Sequence, residues 1–244
     1  MSENVTSLSA ITPLKALSRV LLLSSFLAAS VSAALTQSAF AQSAQFTDPN
    51  SNAVASRAAS LGPDEQRILL NEVESYFDGV GTMQARFLQY NMDGSVYRGD
   101  VKINRPGRML IDYDDPVPYK IVADGNFYIF VDEDLEEVSH IPLALTPANM
   151  LLRQPMNLGE ELTVVDAARD SGVLYVTVAQ KEAEDAGTLT LAFNEEPLAL
   201  RQWTVIDAQG VVTRVLLQNP KTGVKFAKDT FTFVNPWSTR EGGN

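Results

Sequence analysis

Hydrophobic positions along this chain change period twice. Leu69, Leu70, Val73 and Phe77 recur at helical spacing, while Asp64, Glu65, Arg67, Asn71 and Glu74 fall on the opposite face. Pro63 suits a first helical position, and Asp64 and Glu65 lie where the positive end of the helix dipole favours acids. Asp78-Gly79 and Gly81 end the helix. From Thr82 the period becomes two: Met83, Ala85 and Phe87 alternate with Gln84 and Arg86. Asp93-Gly94 is a hairpin turn signal. The return strand puts Tyr97, Val101 and Ile103 on one face and Arg98, Asp100, Lys102 and Asn104 on the other. Met109, Ile111 and Tyr113 continue the alternation, Asp114-Asp115-Pro116 breaks it, and Tyr119 to Ala123 resumes it. Asp124-Gly125 then turns into Phe127–Val131, which is apolar on both faces.

Thr146-Pro147 opens a second helical stretch, with Thr146 expected as N-cap and Met150, Leu151 and Leu152 as its apolar content. Further strands are expected at Leu162–Ala167, Val173–Ala179, Thr188–Phe193, Leu200–Ile206, Val211–Leu217 and Thr230–Val234, separated by Gly-, Asn- and Pro-bearing turns. About eleven strands in a meander with short turns point to a mainly antiparallel sheet. So long a sheet curls toward a barrel, because a flat one leaves long exposed edges. The helix and the Leu143–Leu158 segment can then lie across an open mouth. Met150 and Met156 suit an adaptable apolar surface. On composition alone, completion of an ordinary core is the better explanation, and periodicity does not separate a filled barrel from a hollow one.

The first forty residues differ in kind. Lys15 and Arg19 precede an uncharged run from Val20 to Leu35, and Ala39-Phe40-Ala41 supplies small residues at a peptidase site. A secretion signal over 1–41, cut after Ala41, is expected. A membrane anchor is the alternative, but the run is short for a span of about 20 residues. A flexible polar arm is expected over 42–60, a single folded domain over 61–237, and a tail over 238–244. With no cysteine, the chain has neither disulfides nor a lipid-attachment thiol. The periplasm is the expected location. A net charge of −11 disfavours nucleic acid and anionic membranes as direct ligands.

Candidate chemistry is sparse. Asp132, Glu133, Asp134, Glu136 and Glu137 lack the spacing of a calcium loop and read as a solvated turn. His140 is the sole histidine, with no nucleophile motif beside it. Asp112, Asp114 and Asp115 read as turn residues rather than an acid–base pair. Trp203 and Trp237 read as packing residues at or within the barrel. No phosphate loop, metal-ligand spacing or nucleophile elbow is present, which argues against an enzyme and implies no cofactor.

An ordered series of short motifs carries a resemblance. Phe87-x-Gln89, Gly99, Ile103-x-Arg105-Pro106-Gly107-Arg108, Tyr113-x-x-Pro116 and Ile121–Gly125 come first. Tyr128–Asp132 followed by Leu135–Val138 comes next, and Lys228–Phe233 closes the series. Over roughly Val73 to Trp237 the chain resembles the periplasmic outer-membrane lipoprotein carrier family LolA. The resemblance implies an incomplete antiparallel β-barrel with a lid of short α-helices over a hydrophobic cavity. It also implies a chaperone that takes acylated lipoproteins from an inner-membrane ABC transporter and passes them to a LolB-like outer-membrane receptor. A monomer is expected.

On that resemblance Arg105 is the residue linking lid to barrel. The expected apolar lining is Phe87, Ile103, Met109, Ile111, Ile121, Phe127 and Ile129 from strands, with Leu145, Met150, Leu151, Leu152 and Met156 from the lid. Met109 and Ile111 stand where Phe and Trp are common in the family, which implies a more aliphatic wall. Taken without the resemblance, Arg105 reads as a turn arginine before Pro106-Gly107. A sensor or regulatory module on the same scaffold, binding lipid without ferrying it, is the alternative function.

Overall fold

The computed structural model describes residues 59–181 and 183–238. Twelve strands form one sheet in the order β1-β8-β9-β10-β11-β12-β2-β3-β4-β5-β6-β7. They are β1 (Ala59–Ser60), β2 (Thr82–Asn91), β3 (Val96–Asn104), β4 (Arg108–Tyr113), β5 (Tyr119–Asp124) and β6 (Phe127–Asp132). The remainder are β7 (Glu137–Pro142), β8 (Leu162–Asp170), β9 (Val173–Gln180), β10 (Ala183–Glu195), β11 (Leu198–Asp207) and β12 (Val212–Thr222). Every pairing is antiparallel. The sheet runs from β1 to β7 without those two strands pairing, so it wraps and remains unclosed.

The meander follows from local chemistry. Gly94 takes φ +82° in the hairpin that the Asp93-Gly94 pair predicts, and the β2–β3 register runs unbroken from Thr82↔Asn104 to Tyr90↔Val96. Strict alternation then sends Met83, Ala85 and Phe87 of β2, Val101 and Ile103 of β3, and Met109 and Ile111 of β4 to one concave face. Gly99 is required where it sits. A Cβ there would lie 2.1 Å from the Asp112 carbonyl oxygen and 2.8 Å from the Phe87 ring.

Helix α1 (Pro63–Gly79) begins as its sequence predicts, with Pro63 in the first turn and Gly62 as N-cap. It presents Leu69, Val73 and Phe77 to the concave face. A single turn of 3₁₀ helix (Leu143–Leu145) and helix α2 (Ala148–Leu152) form the second cover. Among the described residues no helix is long and apolar enough to cross a membrane.

Four expectations are corrected. Thr230–Val234 is not a strand; it is turn and irregular chain whose Phe231 is buried and whose Phe233 packs on the convex face. Glu137–Pro142, too polar to announce itself, is the edge strand β7. Thr146 does not cap α2: its hydroxyl donates backwards to the Leu143 carbonyl at 2.8 Å, and Pro147 takes the N-cap position. The end of the presumed arm, Ala59–Ser60, pairs with β8 instead of lying free. The expected secretion signal and the rest of the expected arm fall outside the described residues.

Candidate functional site

The β3–β4 turn, Arg105-Pro106-Gly107, is where sheet and both helical covers meet. Arg105 is 6% exposed, one of few charged groups so buried. Its backbone N–H donates to the Gly81 carbonyl just beyond α1, at 2.8 Å. Its guanidinium reaches two ways: Nη1 donates to the Phe77 carbonyl at the end of α1, and Nη2 donates to the Arg153 carbonyl just after α2. The same guanidinium lies 4.8 Å from the centre of the Phe77 ring. A planar fork with several donors suits this, since one group can serve two carbonyls in different directions. Two residues on, Gly107 adopts φ +74° and its N–H donates to the Leu152 carbonyl at 2.9 Å. That conformation favours glycine. One three-residue turn thus ties down the C-terminal ends of both helices.

Among the described residues no carboxylate forms an ion pair with Arg105. Burial pushes its pKa down to about 10, opposed more weakly by the charges of Asp78 and Tyr76. It stays charged at neutral pH. Its Nε finds no acceptor. The latch therefore combines strong directional bonds with an unfavourable solvation balance, which keeps its net strength modest.

Other polar contacts tie α1 and the segment after α2 to the sheet. The Leu158 N–H donates to Glu74 Oε1 at 2.6 Å, joining that segment to α1. Leu200 N–H of β11 donates to the Tyr76 hydroxyl at 3.1 Å. Arg153 forms an ion pair with Glu161.

Beneath the latch lies one large apolar cluster. Nine of the sequence-predicted lining residues belong to it: Phe87, Ile103, Met109, Ile111 and Ile121 from the sheet, and Met150, Leu151, Leu152 and Met156 from α2 and the segment after it. Phe127, Ile129 and Leu145 do not. Ile129 packs with Val122 and Val131 on the convex face, under Phe233 and Trp237. Phe127 shares that face and is 42% exposed, while Leu145 turns outward from its 3₁₀ turn at 65% exposure. In β6 it is Tyr128 and Phe130 that face the interior. Sequence reasoning also missed Tyr76, although its hydrogen bond and burial join α1 to the far wall. Its position one residue before Phe77 in the apolar stripe was the available signal.

In this closed arrangement the interior is occupied by the covers themselves. Phe77 stacks edge-on against Tyr76 and Phe193, at 5.4 and 5.9 Å between ring centres. The space left beside Phe77, Met83, Ile103, Arg105 and Leu151 is about 10 Å³, room for one water at most. The hollow expected from the resemblance is thus plugged, but by segments anchored through a few hydrogen bonds. Met and Leu side chains make the plug, and the wall behind it is equally apolar.

The remaining candidates resolve into structure. Asp132 Oδ1 accepts from the N–H groups of Asp134 and Leu135, each at 3.1 Å, closing the acidic turn. Asp112 pairs with Lys120 at 3.4 Å, and Asp114 pairs with Arg86. The His140 ring lies between those of Phe127 and Phe233. Trp203 is buried in the core, and Trp237 is half-buried on the convex face.

A model of the family described as outer membrane lipoprotein carrier protein LolA matches residues 78–234. The chain belongs to the LolA family. Among its relatives, an outer-membrane lipoprotein carrier protein of Methylococcus capsulatus is 29% identical over 175 residues, covering 68% of this chain and 83% of that protein. A carrier protein of the same name from Halorhodospira halophila is 29% identical over 181 residues, covering 68% of this chain and 82% of that one. Among solved structures, the LolA superfamily protein NE2245 from Nitrosomonas europaea aligns with 10% identity and a TM-score of 0.37, over 62% of this chain and 89% of that one. The matched stretch holds the latch turn, α2 and eleven of the twelve strands, whereas α1 up to Phe77 precedes it.

Proposed function

We propose that this LolA-family protein is a periplasmic carrier that shelters the acyl chains of lipoproteins leaving the inner membrane and hands them to an outer-membrane receptor. The observation that carries this reading is the double tether of Arg105: one buried cation holds both covers over a continuous apolar wall. A carrier needs an apolar surface hidden when empty and exposed when loaded. Opening here requires that the Arg105 and Gly107 bonds give way together with the Tyr76–Leu200 contact and the apolar packing of α1 and α2, whose side chains acyl chains then replace. Burying a methylene is worth about 0.8 kcal/mol, so two long acyl chains offer well over ~10 kcal/mol gross before ordering and opening costs. That differential affinity shifts the balance from closed to open. The residues before 42 serve as the export signal on this reading.

The test uses purified protein and a synthetic triacylated lipopeptide. The lipopeptide should displace an apolar fluorescent probe, protect the protein's own lid contacts less than the empty state does, and pass to outer-membrane vesicles bearing the receptor. Absence of displacement refutes acyl binding. Displacement without transfer removes the carrier role and leaves a binding module.

A further inference from the structure

The end of the barrel away from Arg105 is built differently from the rest of the interior. Interior positions run down β2 as Met83, Ala85, Phe87 and Gln89, and down β4 as Met109, Ile111 and Tyr113. Aliphatic residues near the latch therefore give way to aromatic and polar ones at depth. Phe87 and Tyr113 meet edge to face at 5.4 Å, flanking the space left by Gly99, which pairs with both. Tyr113 continues edge to face onto Tyr97 at 6.0 Å and Tyr119 at 6.3 Å. Its hydroxyl donates to Gln89 Oε1 at 2.7 Å. Gln89 Nε2 donates in turn to Asn91 Oδ1 at 2.8 Å, and Asn91 Nδ2 donates to Ser95 Oγ at 2.9 Å in the hairpin tip.

We propose that Tyr113 and Gln89, wedged by Phe87 and Tyr97, form a floor that limits how long an acyl chain the interior accepts. This deepens the carrier reading and rests on it. An alkyl chain pressing past Tyr113 must separate its half-buried hydroxyl from its amide partner without offering a replacement, which disfavours entry. It must also part aromatic rings held by mutual edge-to-face contact. Higher up, these same strands present Met83, Ala85, Ile103, Met109 and Ile111 to the interior, side chains that have no hydrogen bond to lose.

The depth follows from the strand. Arg105 lies six residues beyond Gly99, the residue paired with Tyr113. At about 3.3 Å per residue that is ~20 Å of wall. An extended chain advances about 1.2 Å per bond, so the wall matches roughly the length of a palmitoyl chain. Longer chains must leave their extra methylenes in water or fold back.

The test measures binding of laurate, palmitate and arachidate to the whole mature protein by displacement of an apolar fluorescent probe. It compares wild type with Tyr113→Leu, which keeps apolar packing, and Tyr113→Ala, with near-ultraviolet circular dichroism confirming a packed core. In wild type, affinity should rise by up to roughly fourfold per methylene from laurate to palmitate and then stop rising. In both variants it should keep rising, with arachidate at least about tenfold tighter than palmitate. A wild type with no plateau, or folded variants with an unmoved plateau, overturns the floor while leaving acyl binding intact. Failure of folded wild type to bind any of the three overturns the carrier reading itself, and the floor with it.

Discussion

Replacing Arg105 by Leu removes the tether and leaves a shorter, apolar side chain, and its effect is calculable from opposing contributions. A hydrogen bond from a charged donor contributes about 1.5–3 kcal/mol, so the two bonds to Phe77 and Arg153 supply ~3–6 kcal/mol gross. Against this, burial lowers the guanidinium pKa to about 10, and holding the charge there costs about 3 kcal/mol. The difference leaves ~0–3 kcal/mol for the closed form. Leucine also strands two carbonyls in the closed state, which moves the loss to the upper part of that range, about 2–3 kcal/mol. The open population should therefore grow roughly 30- to 150-fold. The direct reporter is the Gly107 amide, whose N–H donates to the Leu152 carbonyl at 2.9 Å only while α2 is seated. Hydrogen exchange at Gly107 should accelerate by that factor while amides of β10 and β11 remain protected. Lipopeptide uptake should persist and its transfer to outer-membrane vesicles should slow, because closure no longer helps expel the cargo. Unchanged Gly107 exchange, or transfer at the normal rate, would refute the latch.

Two further perturbations probe the frame that holds the site. Gly99→Ala places a Cβ 2.1 Å from the Asp112 carbonyl oxygen, a backbone atom unable to step aside, and should cost about 3 kcal/mol. Thermal unfolding should fall by about 6–12 °C, and an unaltered midpoint would mean the strands are not so closely paired. The Asp114–Arg86 pair concerns pH: the hydrogen bond from Arg86 holds the Asp114 carboxyl below the ordinary aspartate value. A carboxyl depressed in the folded state stabilises fully above its unfolded pKa, and that stabilisation disappears as pH falls through the folded value. Wild type and Asp114→Asn should thus differ in urea midpoint at neutral pH and converge in acid; a constant gap would count against this assignment.

How much of this was legible in one dimension differs from strand to strand. Along the first half of β2 and along β3, one face is apolar and the other mostly polar or charged, so Met83, Ala85, Val101 and Ile103 could point only inward. In Phe127–Val131 both faces are apolar, and alternation identifies two sets without saying which is inside. The inward set is Tyr128 and Phe130, because residues near the C-terminus, Phe233 and Trp237, come back to cover Ile129 on the other side. That cover is a contact across about a hundred residues, invisible to any local window. The same long-range packing bears on the false strand at Thr230–Val234: its Phe233 docks on the convex face, and the segment forms no ladder. Leu145 failed for a local reason, since a 3₁₀ turn does not share the helical period of the residues after it.

Arg105 illustrates the division in a single side chain. Its place before Pro-Gly and the family motif around it were readable, whereas its acceptors lie 28 residues before it and 48 after it in the chain.

The sequence by itself determined the strand meander, the amphipathic first helix, the position of the latch turn and the absence of disulfide chemistry, because each depends on neighbours in the chain. Only the tertiary structure decided that both helices fill the interior, that one guanidinium holds them there, and that Tyr113 and Gln89 meet in a hydrogen bond at the far end. Burial and hydrogen bonding between distant segments are set by how the sheet curls, and curling is a property of the whole sheet that no single strand encodes.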